Sequence, residues 1–191
     1  MKDAEEYYPK NKQEWREWLE MNHKDKNAVW VIFYKVKSPK HNLSWSDSVN
    51  EALCFGWIDS TKRALDDERF IQYFSKRKAK SNWSKINKDK VKVLIEQNLM
   101  TEAGYESIAI AKENGSWTIL DNIEALIVPE DLNIAFTNNS NALGFYESLS
   151  NSNKKMILYW LHAAKRTATK EKRITEIIES ANKGLMPKRF W

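Results

Sequence analysis

The sequence predicts an α+β protein: a small antiparallel sheet of about three strands, two of them a hairpin, packed by helices and followed by an all-helical C-terminal part. Three observations carry this. Val29-Trp30-Val31-Ile32-Phe33-Tyr34 is β-branched and aromatic in both parities, the composition of a central strand buried on both sides. Residues 57–65 and 70–75 flank Asp66-Asp67-Glu68, the pattern of two strands joined by a tight turn. Beyond Ser84 the apolar residues recur at helical spacing. Few strands followed by many helices indicate α+β and not alternating α/β.

The elements follow in order. Trp15, Trp18, Leu19 and Asn22 share one helical face, giving a helix over about 11–21. Ser38-Pro39-Lys40 ends the first strand. Ser44 or Ser46 starts a short helix with Val49, Ala52 and Leu53 on one face and Gly56 just past its end. If Asp66-Asp67 is the loop of the hairpin, Leu65 faces Glu68 and Asp59 faces Phe74. Trp57, Asp59, Thr61 and Arg63 then share a face with Phe70, Gln72 and Phe74. Asn87 is a candidate cap for a helix turning Val91, Leu94 and Ile95 inward. Thr101 starts another through Tyr105, Ile108 and Ala109. Pro129 suits a first helical turn, with Glu130 and Asp131 at its positive end. Ser140 is a candidate cap for a helix burying Leu143, Phe145, Tyr146 and Leu149. Met156, Ile157, Trp160, Leu161 and Ala164 form the next stripe. The last helix, from about Thr169, buries Ile174, Ile177, Ile178 and Ala181 and stops at Gly184. Residues 1–115 read as an α+β head, 116–128 as a connector and 129–191 as a helical tail.

At 191 residues the chain is long enough for a core that needs neither disulfide nor metal. No apolar run approaches the roughly 18 residues of a membrane span. The opening Met1-Lys2-Asp3-Ala4-Glu5-Glu6-Tyr7-Tyr8 is polar and unlike a secretory signal, and the lone Cys54 suits a reducing compartment, so a cytoplasmic location is expected. The formal charge of +5 is unevenly spread: residues 62–92 hold eleven basic side chains against four acids, a net +7, and leave the rest at −2. A second cluster comprises Lys165, Arg166, Lys170, Lys172 and Arg173. Such density attracts phosphates, nucleic acid or acidic surfaces, or is simply a solvated face.

The sharpest local pattern is Ser75-Lys76-Arg77-Lys78-Ala79-Lys80-Ser81-Asn82-Trp83-Ser84-Lys85, cations, hydroxyls, an amide and an indole at a strand-to-helix junction. Those groups beside a helix start are what a phosphate or carboxylate requires, or they merely cap the next helix. Of the nine tryptophans, Trp15, Trp18, Trp30 and Trp160 fall on apolar faces and read as core; Trp57 and Trp83 sit among polar residues, where a ring can stack on a ligand. Asp59 is a candidate general base or ligand acceptor, against the commoner fate of an ion pair with Arg63 or Arg77. Cys54 lacks a histidine at recognisable spacing and reads as core. Neither a metal-ligand pair, a glycine-rich phosphate loop nor a nucleophile elbow occurs, so no metal, cofactor or catalytic motif is expected.

Leu43-Ser44-Trp45-Ser46, Glu51-Ala52-Leu53-Cys54-Phe55-Gly56-Trp57-Ile58-Asp59-Ser60 and Arg77-Lys78-Ala79-Lys80-Ser81-Asn82-Trp83-Ser84 together resemble the bacterial YdeI/OmpD-associated proteins, also labelled bacteriocin-protection proteins. Trp15-Arg16-Glu17-Trp18-Leu19, Lys154-Lys155, Trp160-Leu161 and Ala164-Lys165-Arg166 agree with the resemblance. Lys76 departs from it, standing where the family carries proline before Arg-Lys. The resemblance implies a role in resistance to bacteriocins, antimicrobial peptides or stress and an association with an outer-membrane protein, and it implies no reaction or cofactor.

The residues and the resemblance together give a cytoplasmic binding protein with an anion pocket where the hairpin meets the Ser81–Asn87 junction. Trp57 and Trp83 supply aromatic surface, Arg63, Arg77, Lys78 and Ser81 hold the anion, and Asp59 and Gln72 orient a polar group. The expected partner is a small anionic ligand or nucleic acid, with a protein partner as a further option. The alternatives are nucleic-acid binding through 62–92, an enzyme on a small anion with Asp59 as base, and a pure interaction protein.

Overall fold

A computed structural model describes residues 4–191, so the opening Met1-Lys2-Asp3 lies outside the described residues. The chain divides into two compact units, Met1–Ile119 and Leu120–Trp191.

The first unit is built on a four-stranded sheet of order β1-β2-β4-β3, with β1 at Glu6–Tyr7, β2 at Ala28–Tyr34, β3 at Trp57–Ala64 and β4 at Arg69–Lys76. The three expected strands are present and antiparallel. The fourth, β1, is two residues long and pairs parallel to β2, so the sheet is mixed. A two-residue strand carries no period, which is why the sequence does not announce it.

The β3–β4 hairpin corrects the expected register. Trp57 faces Lys76 and Asp59 faces Phe74, but after a bulge between Asp59 and Lys62, Lys62 faces Gln72 and Arg63 faces Ile71. The loop comprises Asp66, Asp67 and Glu68: Leu65 N donates to Arg69 O at 3.1 Å, and Asp66 Oδ1 accepts from the amides of Glu68 and Arg69. The extra loop residue is absorbed by the bulge, and beyond it every side chain changes face. Arg63 therefore lies on the face opposite Trp57, Asp59 and Gln72, with its guanidinium 4.7 Å from the Trp30 ring.

Two helices, α1 (Lys12–Asn22) and α2 (Trp45–Cys54), cover the Val29-Val31-Phe33-Phe74 face. Asn11 caps the first, accepting from Glu14 N, and of the two expected serines it is Ser44 that caps the second, accepting from Asp47 N. The interface is aromatic, with Trp15 and Trp18 stacked at 5.3 Å, Trp15 against Phe74 at 5.3 Å and Trp18 edge-on to Trp57 at 5.8 Å. Between the two helices Glu51, 1% exposed, accepts from Arg16 Nη1 at 2.7 Å and pairs with Lys12 at 3.1 Å.

Two further helices complete the unit, α3 (Lys85–Glu96) and α4 (Glu102–Glu113). Ser84, not Asn87, caps α3, because its side chain reaches Asn87 N, and Ile95 points outward. Tyr105 is likewise exposed; Gly104, Ile108 and Ala111 form the buried face of α4. A Cβ on Gly104 would stand 2.4 Å from Cys54 O, so α4 seats on backbone.

In the second unit, a single turn α5 (Asp121–Glu124) precedes α6 (Glu130–Thr137), α7 (Ser140–Ser148), α8 (Asn151–His162) and α9 (Thr167–Ala181). Pro129 stands at the cap of α6 instead of inside its first turn, and Asn139 precedes α7, which begins at Ser140. Leu132, Phe136, Ala142, Tyr146, Leu161 and Ile177 form its core, while Met156 is exposed. Of the segment 116–128, Trp117 packs into the first unit's core and Leu120, Ile123, Leu126 and Val128 into the second's.

Two stability predictions follow from the first unit. Gly104→Ala should destabilise it by about 1–3 kcal/mol in denaturant titrations, because backbone and not a flexible side chain must yield. Arg16→Met, which leaves the buried Glu51 carboxylate with Lys12 alone, should cost about 3 kcal/mol, and Arg16→Met/Glu51→Met should recover most of that loss.

Candidate functional site

The turn from α2 into β3 shapes the site. Gly56 adopts φ +70°, a left-handed conformation that glycine takes without strain, and its carbonyl accepts from Arg77 N at 2.9 Å. Cys54 O accepts from both Thr101 N (3.1 Å) and Thr101 Oγ1 (2.6 Å). The end of α1, the Phe55–Trp57 turn, the end of β4 and the first turns of α4 thereby enclose an open cleft of about 750 Å³.

Arg77 and Trp57 line it. The Arg77 guanidinium lies 3.7 Å from the Trp83 ring centroid, and Trp83 in turn packs on Trp117 at 4.9 Å. Arg77 Nη1 donates to Asn82 O at 2.9 Å and to Ser81 Oγ at 3.3 Å. Its Nε and Nη2 are buried without an acceptor, as is Trp57 Nε1. Burial pushes the Arg77 pKa down to about 10, although the Asp59 carboxylate favours the charged form. His23 and Thr101 also line the cleft. His23 Nδ1 lies 2.8 Å from Leu19 O. A carbonyl only accepts, so Nδ1 carries the proton and a neutral His23 presents Nε2 as an acceptor. Thr101 spends its hydroxyl on Cys54 O instead of capping α4, which leaves that helix start without a side-chain cap.

Of the eight residues expected at the site, only Trp57 and Arg77 line the cleft. Trp57 and Trp83 are each 1% exposed, so their rings are packed in the core and do not form an open aromatic surface. Asp59 Oδ2 accepts from Trp45 Nε1 at 2.9 Å and from Gln72 Nε2 at 3.0 Å, binding α2 to the sheet. Ser81 backs Arg77, Lys78 is exposed, and Arg63 is on the other face. The dense basic stretch is also dispersed: Lys62 sits over Phe70, Arg69 pairs with Asp66, and Lys76 Nζ donates to Lys24 O. Burial lowers the Lys90 pKa, and its Nζ donates to Ser46 Oγ and Asn50 Oδ1, each at 2.7 Å. The second cluster is partly engaged as well, Lys170 pairing with Asp131 and Arg173 reaching Trp160 O.

The polar cleft residues not named for the site by sequence reasoning are Glu20, His23, Lys24, Lys76, Thr101, Glu102, Glu106 and Ser107. Lys76 was visible within the basic junction and Thr101 as a helix start. No pattern links the others, which come together through packing. Among the described residues there is no cluster suited to a metal ion and no helix long and apolar enough to cross a membrane.

Fold and site define the class: an α+β unit carrying an open cleft lined by a half-buried arginine, followed by an all-helical unit. Residues 7–107, more than half of the chain, match the family model described as domain of unknown function (DUF8412), and the protein belongs to that family. Residues 125–184 match the model described as Bacteriocin-protection, YdeI or OmpD-Associated, which bears out the resemblance read from the motifs. No curated protein and no solved structure matches the chain.

A charge kept under cover against its solvation cost does little for stability. Arg77→Met, which preserves the stack on Trp83, should leave the unfolding free energy unchanged or about 1 kcal/mol higher at neutral pH. A loss above about 2 kcal/mol would mark Arg77 as a structural anchor instead. The wild type should also gain stability from Arg77 as pH rises through its folded pKa of about 10, because the unfolded chain still holds the proton there.

Proposed function

We propose that this protein is a binding protein whose α+β unit takes the anionic group of a small ligand into the cleft, with Arg77 as anchor. The observation that carries this reading is that Arg77, a residue lining the cleft, has two buried N–H donors lacking acceptors. Buried donors without acceptors cost about 1–3 kcal/mol each, and an oxyanion meeting Nε and Nη2 side by side removes that cost. Both atoms are covered, so the side chain must turn to meet it.

A role in protection against bacteriocins is suggested by the description matched over residues 125–184, and ligand capture in the first unit is compatible with it. The cytoplasm is the compartment in which a lone buried thiol such as Cys54, its pKa pushed up to about 11 by burial, is ordinary. Enzymatic use of Asp59 loses ground, since that carboxylate is committed to Trp45 and Gln72 and is not a cleft residue.

Thermal unfolding with inorganic phosphate and acetate as probes tests the reading. Either anion at about 100 times its Kd should stabilise the wild type by about 2.7 kcal/mol and leave Arg77→Met unmoved. Equal stabilisation of both proteins, or of neither, sinks Arg77 as anchor. Salt-sensitive binding of a labelled oligonucleotide without any phosphate effect would put nucleic-acid recognition in its place.

A further inference from the structure

The cleft that holds the anion anchor is not a positive cleft. Lys24, Lys76 and Arg77 line it, and so do Glu20, Glu102 and Glu106, three cations against three carboxylates. One group of each sign is already engaged. Lys76 Nζ is held by Lys24 O, and Glu20 pairs with Arg16 Nε at 3.2 Å. Glu102 and Glu106 stand one turn apart on α4, exposed, and their side chains make no hydrogen bond or ion pair with any described residue. Like charges at i, i+4 on a helix repel, so this pair gains from a cation placed between them and the cleft. Phe55, Ala103 and Ile110 supply apolar wall in the same cleft.

Resting on the anion-binding reading, we propose that the ligand is a zwitterion with an apolar body, a short peptide or amino acid, whose carboxylate meets Arg77 and whose ammonium meets Glu102 and Glu106. A polyphosphate or nucleotide would bring several negative charges against three carboxylates, a like-charge penalty that a zwitterion avoids. The volume of about 750 Å³ falls within the range of small-ligand clefts and has room for a few residues. Neither charged end alone satisfies the cleft; both together leave its charge balanced.

The test is calorimetric titration of the full chain with trialanine, N-acetyl-trialanine, trialaninamide and inorganic phosphate. Trialanine should bind, and capping either end should weaken it about tenfold or more, the scale of one lost charged hydrogen bond. Glu102→Gln/Glu106→Gln should bind trialanine and its N-acetyl form equally, and Arg77→Met should no longer distinguish trialanine from its amide. Both variants alter the cleft wall, so their thermal unfolding is measured alongside; a folded double variant that keeps the full preference for a free amine overturns the role of the glutamates. N-acetyl-trialanine binding as tightly as trialanine overturns the zwitterion and leaves the anion reading intact. Phosphate binding with no tripeptide binding does the same. Absence of binding by all four overturns both.

Discussion

The first unit depends on one close approach of backbone to backbone. At Cys54 the helix α2 ends, and its last carbonyl is taken by the amide and hydroxyl of Thr101 at once. That double acceptance holds the start of α4 where only a residue without a side chain fits at position 104. Two residues on, Gly56 turns left-handed and offers its carbonyl to Arg77. A Cβ there would stand 2.8 Å from Ala103 O, so the turn and the helix bar each other from moving closer. These contacts tie together the end of α2, the start of α4 and the end of β4, all three of which border the cleft.

The same constraint places Arg77. Its amide is committed to Gly56, which sends the side chain back onto Trp83 and away from water. The segment that follows is tied down from a distance, with Asn114 and Ser116 both donating to Ala79 O. A guanidinium so held loses solvation and regains part of it from the indole face and Asn82 O. Two of its N–H groups recover nothing from the protein. Most of this unit satisfies its polar groups well, Glu51 and Asp59 included, and a local failure of that rule on a cleft wall is where function is to be sought.

Legibility in the sequence followed locality. The start of α1 near residue 11, read from its apolar face, and that of α2, read as Ser44 or Ser46, are close to the observed ones because the signals lie within a turn or two, whereas Asn87 was expected where Ser84 caps α3. The hairpin was read correctly up to Asp59↔Phe74 and wrongly beyond it. Asp66 makes its own turn by accepting two amides, which lengthens the loop by one residue, and period-2 reasoning carries that single residue into a reversed face for Arg63. The site was the least legible. Trp57 and Arg77 stood out by composition, but Asp59, Gln72 and Trp83 had the same kind of neighbours and went into structure. His23, Thr101, Glu102 and Glu106 belong to other elements, and nothing short of the fold brings them to one cleft.

Charge density along a chain is likewise not charge density in space. The +7 stretch of residues 62–92 runs through a hairpin and then a helix, so its cations alternate between faces as the strands do. Arg63 covers Trp30 on one side of the sheet while Lys62 covers Phe70 on the other. A polyanion needs a continuous track, whereas a small ligand needs one donor without a competing acceptor. Arg77 meets the second requirement. The family matches sharpen the point: the cleft lies within the 7–107 match, and the bacteriocin-protection description attaches to 125–184. The helical unit that carries this match has basic side chains partly spent on Asp131 and Trp160. Ligand recognition is better sought in the first unit, where an arginine keeps donors in reserve and two glutamates stand unpaired.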